Sequence, residues 1–183
     1  LVAIIEIFSL INKVIYRFFV MKLVKLRFSI VGKNVYVGKY GTFSYENIQI
    51  GDNSSIGQYA NFVSTRARII IGNHVMFGPH VTIVTGDHRI DIRGRFMNTI
   101  TDDEKLPEND QNVVIKDDVW IGANTIILKG VTIGTGCVIA AGSVITKNAN
   151  AYGIYGGNPA KLIKMRFEDD FLEGRNLEVS TTE

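Results

Sequence analysis

Residues 115–150 read IKDDVWIGANTIILKGVTIGTGCVIAAGSVITKNAN, which divides into six segments of six residues that each begin with isoleucine. The fifth position of the first five segments is small or β-branched: Val119, Thr125, Val131, Cys137 and Ser143. A period of six fits neither an α-helix nor a single strand, but it fits a short strand followed by a corner. Three such sides close one coil around the leading residues, and coils stack by parallel pairing. The stretch therefore predicts a parallel β-helix of hexapeptide repeats.

The same period extends upstream and defines one domain. VGKNVY from Val31, IGDNSS from Ile50 and IGNHVM from Ile71 repeat the pattern, with two broken steps between segments. The 18 glycines and 3 prolines favour repeated tight turns over disorder. We predict an all-β domain over residues 30–167, followed by a polar tail over 168–183.

The period stops at TGDHRID, residues 85–91, and resumes at Ile115. The intervening residues are too polar for hexapeptide repeats, so we predict a loop over 86–112 that leaves the β-helix. Long loops in compact domains are usually functional.

Residues 1–29 form a strongly apolar segment with a basic end. The spacing predicts an amphipathic helix with a narrow polar stripe at Glu6, Ser9, Asn12, Lys13, Tyr16 and Arg17. These charges argue against a membrane-spanning helix, and no small-residue cleavage site follows. Two interpretations remain: residues 1–28 lie on a membrane surface, or the helix packs on its own domain or a sister subunit. We expect a cytoplasmic protein, with peripheral contact at the inner face of the membrane under the first interpretation.

Composition excludes several other classes of protein. A net charge of +2 gives no electrostatic basis for binding nucleic acid. The single cysteine, Cys137, excludes an intramolecular disulfide framework and fits a reducing compartment.

Five motifs in order resemble those of a known family: FSY (43–45), YANF (59–62), TGDH (85–88), DVWIGAN (118–124) and GGNPAK (156–161). Together with the repeats, they resemble the hexapeptide-repeat acetyltransferases, in particular the galactoside, maltose, xenobiotic and polysaccharide O-acetyltransferases. This resemblance covers residues 30–167. It implies a left-handed β-helix, a homotrimer, acetyl-coenzyme A as the acetyl donor and active sites between subunits.

The resemblance implies that His88 is the catalytic base. Histidine suits proton removal from a hydroxyl because its unperturbed pKa, ~6.5, lies near neutral pH. His74 and His80 occupy the fourth position of their segments, where we expect solvent-facing turn residues. His88 instead lies where the chain leaves the β-helix. An adjacent carboxylate, Asp87 or Asp91, is a candidate to orient it.

The resemblance also implies roles around His88. The backbone N–H of Ala123 corresponds to an oxyanion donor or to a contact with the thioester carbonyl. Trp120 is sixth in its segment, so we expect it to face outward, where it walls the acetyl or sugar site or packs against another subunit. Asn61 corresponds to an acceptor contact that supports the histidine, and Ser44 to a further acceptor contact. For Asn61 and Ser44, the alternative is that both side chains cap turns. Acceptor contacts expected from the loop are Arg93, Arg95, Phe96 and Met97.

Coenzyme A is expected in a groove between adjacent β-helices. Its candidate contacts are Trp120, Ala123, Ala141, Thr146, Lys147, Lys161 and Lys164. We expect no metal, because a metal hydratase on this fold needs three converging histidines, and His74 and His80 lie on different sides.

The sequence therefore favours O-acetyl transfer to a sugar hydroxyl. The departures from the sugar acetyltransferases, chiefly the apolar segment 1–29, favour a surface polysaccharide or its precursor as acceptor. The alternatives are an N-acetyltransferase of an amino sugar or nucleotide sugar, and a non-catalytic β-helix scaffold.

Overall fold

The computed structural model describes residues 1–167, so the predicted tail over 168–183 lies outside the described residues. The chain begins with helix α1 (Val2–Ile15), continues through one π-helical turn (Tyr16–Val20) and ends this segment with helix α2 (Met21–Lys25). From Ile30 onward it winds through short strands and tight corners, as the six-residue period predicts.

Three strands make up each full coil. In the first two coils they are β1 (Ile30–Val31), β2 (Tyr36–Val37), β3 (Thr42–Phe43), β4 (Ile48–Ile50), β5 (Ser55–Ile56) and β6 (Asn61–Val63). In the next two they are β7 (Ile69–Ile71), β8 (Met76–Phe77), β9 (Thr82–Val84), β10 (Val113–Ile115), β11 (Trp120–Ile121) and β12 (Ile126–Ile127). The last are β13 (Thr132–Ile133), β14 (Val138–Ile139), β15 (Val144–Ile145), β16 (Gly153–Gly157) and β17 (Ala160–Met165).

The strands stack into three sheets that form the faces of a prism. Face A contains β1, β4, β7, β10 and β13; face B contains β2, β5, β8, β11, β14 and β16; face C contains β3, β6, β9, β12 and β15. Pairing is parallel throughout these faces, and β17 folds back antiparallel on β16. The predicted parallel β-helix is confirmed.

The core consists of ladders of the predicted inward residues. Ile115, Ile121, Ile127, Ile133, Ile139 and Ile145 are buried, and so is every fifth-position residue from Val119 to Ser143. The buried hydroxyls are paired: Thr125 Oγ1 donates to the Gly122 carbonyl at 2.8 Å, and Ser143 Oγ to the Ala140 carbonyl at 2.6 Å. The small polar residues therefore close corners without leaving unpaired groups in the core.

Each coil turns at three edges, named here by the faces they join. Edge AB contains residues 32–34, 51–53, 72–74, 116–118 and 134–136; edge BC contains 38–40, 57–59, 78–80, 122–124 and 140–142; edge CA contains 44–47, 64–68, 85–112, 128–130 and 146–148. The fourth position of a segment often adopts a left-handed turn, with φ of 56° at His74 and 58° at His80. Both histidines are exposed, which confirms them as turn residues at edges AB and BC.

The N-terminal helix docks through its polar stripe. The Tyr16 hydroxyl donates to the carbonyls of Val37 and Gly38, at 2.9 Å each, and Lys39 Nζ donates to Asn12 Oδ1 at 2.6 Å. Residues 12 and 16 lie one turn apart on the same side of the helix. The apolar side therefore points away from the prism, and this part of the helix does not pack its apolar face on its own domain.

The exposed apolar side chains of this segment are numerous. They are Leu1, Val2, Ile4, Ile5, Ile7, Phe8, Leu10, Ile11, Val14, Ile15, Phe18, Phe19, Val20, Leu23 and Leu26. Among residues 1–167, no helix is both long and apolar enough to cross a membrane.

Candidate functional site

The loop predicted over 86–112 leaves and rejoins the prism at edge CA. Its two ends are joined by an antiparallel bridge between Gly86 and Asp110. The Asp87 N–H donates to the Asn109 carbonyl, and the Gln111 N–H donates to the Thr85 carbonyl, each at 2.9 Å. Three 3-10 turns, Met97–Thr99, Asp102–Glu104 and Pro107–Asn109, give the loop its own structure. The loop therefore has a fixed base, and His88 is the residue that follows this base.

The Asp87 side chain locks the base of the loop to the next coil. Its carboxylate accepts from Asn109 Nδ2 at 2.8 Å and pairs with Lys129 Nζ at 2.6 Å. Partial burial alone would raise the pKa of Asp87, but the hydrogen bonds from Lys129 and Asn109 outweigh it and lower the pKa. Asp91 pairs with Arg89 at 2.8 Å. Both carboxylates considered as orienting groups for His88 are thus held by other side chains.

His88 is exposed on the rim of a cleft of 510 Å³. The cleft is lined by Val63, Thr65, Val84, Thr85, Gly86, Asp87, His88, Lys105 and Asp110. The pKa of Asp102 is lowered mainly by its hydrogen bond and ion pair with Lys105, whose side chain also lines this cleft.

Asn61 projects from the face that borders this cleft. It is exposed on β6, paired with Thr82 of β9, and it precedes by two residues the cleft residue Val63. Alternate residues of a strand share a face, so Asn61 and Val63 both point outward. The structure thus brings Asn61 to the same side of the prism as His88.

Asp110 is a cleft residue that the sequence analysis missed. Its carboxylate is 8% exposed and has no hydrogen bond within residues 1–167, although Arg66 Nε lies 3.5 Å away and Lys105 Nζ 3.9 Å away. In the sequence, it is one acid among several in a polar loop. Only its pairing with Gly86 identifies it, and nothing in the composition of the loop encodes that pairing.

Ser44 lies on edge CA, where it also caps a turn. Its Oγ accepts a hydrogen bond from the Ser64 N–H at 3.0 Å, and this contact is the turn cap expected under the alternative interpretation. It lines a second cleft of 520 Å³ together with Arg27, Phe43, Tyr45, Glu46, Asn47, Ser64 and Thr65. The two clefts share Thr65.

Backbone donors are left free at edge BC. At edge AB, the third-position N–H groups of Lys33, Asp52 and Asn73 each donate to an Asp or Asn side chain of the next coil, at 2.7–2.8 Å. At edge BC, the residue that follows Ala123 in the next coil is Ala141, which has no acceptor to offer. Among the described residues, the Ala123 N–H therefore has no partner, as an oxyanion donor requires.

The remaining coenzyme A candidates fall on two parts of the prism. Trp120 is 52% exposed on face B, which confirms that it faces outward, and exposed Lys161 and Lys164 lie on β17 at the end of that face. Thr146 and Lys147 are exposed at edge CA instead.

The loop residues expected as acceptor contacts differ in their availability. Arg95 pairs with Glu104 at 2.6 Å, and this pair, with hydrogen bonds from Thr101, lowers the pKa of Glu104 to about 2. Arg95 therefore stabilises the loop itself. Arg93, Phe96 and Met97 are exposed, and Phe96 is 78% exposed.

The candidates separate into two sets within one chain. His88, Thr146 and Lys147 lie at edge CA, whereas Ala123 and Ala141 lie at edge BC, with Trp120, Lys161 and Lys164 on adjoining face B. A single chain does not place His88 beside Ala123. Within residues 1–167, no cluster of three or more His, Cys, Asp or Glu side chains could hold a metal ion.

Comparison with known proteins gives concordant matches. Residues 112–147 match the family model for the bacterial transferase hexapeptide (six repeats). The chain is 36% identical over 158 residues to the galactoside O-acetyltransferase of Lactococcus lactis subsp. lactis (strain IL1403), covering 82% of this chain and 70% of that protein.

Two solved structures share the architecture. One is a hexapeptide-repeat acetyltransferase from Vibrio cholerae O1 biovar eltor complexed with acetyl coenzyme A (TM-score 0.69, 32% identity, 79% of this chain and 74% of that one). The other is a maltose O-acetyltransferase from Clostridium difficile 630 (TM-score 0.66, 34% identity, 80% of this chain and 74% of that one).

Proposed function

The chain belongs to the hexapeptide-repeat acetyltransferases, and from that premise we propose that it transfers an acetyl group from acetyl-coenzyme A to a sugar hydroxyl. The observation that carries this proposal is the rigid loop base at Gly86 and Asp110, which holds His88 at the rim of a cleft. A base fixed at a cleft is what proton removal from a bound alcohol requires.

The chemistry needs few groups. His88 accepts the proton of the acceptor hydroxyl while the oxygen attacks the thioester carbonyl. The Ala123 N–H donates to the oxyanion that develops, and the coenzyme A thiolate leaves and takes up a proton from the imidazolium. One oxyanion donor is worth ~3 kcal/mol of transition-state stabilisation in well-studied hydrolases. Asn61 and Ser44 hold the acceptor, and exposed Arg93, Phe96 and Met97 cover it.

The separation of the two sets of residues supports a shared site. Edge CA of one copy supplies His88, and edge BC and face B of the next supply Ala123 and Trp120. A head-to-tail contact of this kind repeats around a ring, and three copies close it as a homotrimer. Coenzyme A then lies in the groove between copies, with Ala141 and Thr146 along the pantetheine arm and Lys161 and Lys164 at the phosphates, where Lys147 is a further candidate.

The acceptor is a surface polysaccharide or its precursor. The relatives named above act on different acceptors by name, galactoside and maltose, so membership in the family leaves the acceptor open. The support for a glycan made at a membrane is the N-terminal helix, whose apolar side faces away from the prism.

Residues 1–28 contact the membrane surface in this proposal. They carry five basic side chains and a single acid, Glu6, while the whole chain is only +2. Fifteen large apolar side chains between Leu1 and Leu26 are exposed. At an anionic bilayer surface, the apolar side chains are buried among the lipid chains and the basic side chains contact the anionic headgroups.

A histidine exchange tests the mechanism. His88→Ala is expected to lower acetyl transfer at least a hundredfold while coenzyme A still binds, because only the base is lost. His74→Ala, which changes an exposed turn residue at edge AB, outside both edges of the proposed site, is the matched control and should keep full activity. Unchanged turnover in His88→Ala would contradict the mechanism, and absence of coenzyme A binding by calorimetry would favour a scaffold. Analysis of the product would distinguish an acetyl ester, formed by O-acetyl transfer, from an acetamide, formed by N-acetyl transfer.

A further inference from the structure

The cleft that contains Ser44 also contains an arginine that no catalytic role uses. Arg27 follows helix α2, and the backbone beyond it is held where the first coil passes into the second. The Ser29 N–H donates to the carbonyls of Tyr45 and Ile48 at 3.2 Å each, and Ser29 Oγ donates to Ile48 at 2.7 Å. Phe28 packs edge-on against Phe43 and Tyr45. Arg27 therefore starts from a fixed backbone.

The guanidinium itself is fixed by stacking and left without an anion. It lies 3.8 Å from the centroid of the Tyr45 ring. Within residues 1–167, its N–H groups have no carboxylate or carbonyl partner. A guanidinium presents five donors in a planar fork that matches the oxygens of a phosphate or carboxylate. Its stacking restricts the side chain in advance of binding, so less entropy is lost when a ligand arrives.

The rest of the cleft suits sugar hydroxyls. Ser44, Glu46, Asn47 and Thr65 line it, and Glu46 is an acceptor that a hydroxyl can satisfy. Asn47 Nδ2 donates to the carbonyls of Ser64 and Thr65 at 2.7 and 3.0 Å, which fixes the backbone of the far wall. The cleft thus combines one unpaired cation with several neutral or acidic hydrogen-bonding groups.

This cleft adjoins the one that His88 borders. Thr65 lines both, and each has a volume of the size that holds a small ligand, 520 and 510 Å³. Two such clefts in a row along edge CA exceed the needs of a single sugar unit. A larger acceptor can therefore place one part beside His88 and another beside Arg27.

We propose that the Arg27 cleft is an acceptor subsite for an anionic group, phosphate or carboxylate, linked to the sugar that His88 deprotonates. This inference rests on the proposed function and adds the charge of its acceptor. Arg27 stands next to Lys22 and Lys25 at the basic end of the apolar helix, so a phosphate beside a membrane and the carboxylate of an acidic sugar both fit the same fork.

Binding of three probes to the full chain tests the subsite, with coenzyme A present at saturation so that its own phosphate site is filled. The probes are glucose, glucose 1-phosphate and glucuronic acid. At least one anionic probe should bind roughly tenfold or more tightly than glucose, because a guanidinium forms stronger hydrogen bonds with a charged acceptor than with a neutral hydroxyl. Tighter binding of glucose 1-phosphate would identify the anion as a phosphate, and tighter binding of glucuronic acid would identify it as a carboxylate.

Three variants complete the test. Arg27→Gln should reduce the anionic probe to the affinity of glucose, and Arg27→Lys should retain part of the preference. Lys33→Gln, which removes a basic side chain of the same coil at edge AB, should change nothing. Equal binding of all three probes, binding of none, or the same loss in Lys33→Gln overturns the subsite. If the unsubstituted protein does not bind coenzyme A, the proposed function itself is overturned.

Discussion

Gly86 and Asp110 pair across the base of the loop over 86–112 so closely that a β-carbon on Gly86 would lie 2.2 Å from Asp110 Oδ1. Gly86→Ala must therefore move the buried carboxylate or open the bridge. We expect a stability loss of ~1–3 kcal/mol, as for other overpacked sites, and at least a tenfold fall in activity because His88 lies two residues away. Thermal unfolding and steady-state kinetics measure the two effects.

Gly94→Ala is the matched control for this substitution. Gly94 lies in the same loop with φ of 76°, and an added β-carbon would meet nothing within 4 Å. It is expected to cost only the ~1–2 kcal/mol of a left-handed alanine, with activity retained. Equal losses of activity in the two variants would contradict the role given to the loop base.

The ion pair between Asp87 and Lys129 predicts how the loop responds to acid. The pKa of Asp87 is lowered in the folded protein. The stabilisation of the loop base by its carboxylate is therefore fully present above the unfolded pKa of ~3.9 and is lost as pH falls through the lower folded pKa. The protection factors for hydrogen exchange at the loop base, which divide out the intrinsic pH dependence of exchange, should therefore be constant from neutrality to about 4 and fall below it. In Lys129→Gln, this acid-induced loss should be smaller, because the folded and unfolded pKa values of Asp87 then lie closer together; an unchanged profile would show that the pair does not hold the loop.

Tyr16 predicts a response at the alkaline end. Burial, with smaller effects of Tyr36 and Tyr45, raises its pKa to about 12. The stabilisation of the docked helix by the neutral Tyr16 hydroxyl is therefore complete below the unfolded pKa of ~10 and is lost as pH rises through about 12. Tyrosinate absorbance should show one late step that is missing in Tyr16→Phe. The same variant should reduce the free energy that holds the helix on the prism by ~0.5–1.5 kcal/mol, which is measured as faster hydrogen exchange in residues 12–25.

The exposed apolar side of the helix predicts binding to lipid. The full chain should sediment with vesicles of phosphatidylglycerol and phosphatidylcholine, and less with phosphatidylcholine alone. Phe8→Glu combined with Phe19→Glu should reduce sedimentation roughly tenfold or more, because each side chain loses ~1.5–3 kcal/mol of burial. Phe96→Glu, an equally exposed loop position, is the control. Vesicle binding that persists in the double variant would show that the apolar side of the helix is not the lipid contact. A dimer that is lost in the double variant, without binding of vesicles by the full chain, would contradict the membrane interpretation.

Much of the fold could be predicted because one chemical requirement repeats. Each coil needs an inward aliphatic residue such as Ile121 and a small partner such as Thr125, so the period is written directly in the sequence. The loop over 86–112 could be predicted for the converse reason, since its charged residues cannot occupy inward positions.

The rest depends on contacts between residues that the repeat does not relate. Nothing in the pattern indicates that Asp110 is buried against Gly86, or that Asp87 pairs with Lys129 rather than with His88. The helical spacing predicted a polar stripe but not that Asn12 and Tyr16 would face the prism. The site residues could be assigned only through the family resemblance, and their division between two edges appears only in three dimensions.

Subunit complementation tests the central claim most directly. His88→Ala removes the base at edge CA, and Ala141→Phe blocks the groove at edge BC, so each variant alone should be inactive. After unfolding and joint refolding of equal amounts, about a quarter of the sites should pair an intact edge from each copy and regain activity. A mixture that stays as inactive as its components, although mixed oligomers form, would contradict a site built from two chains.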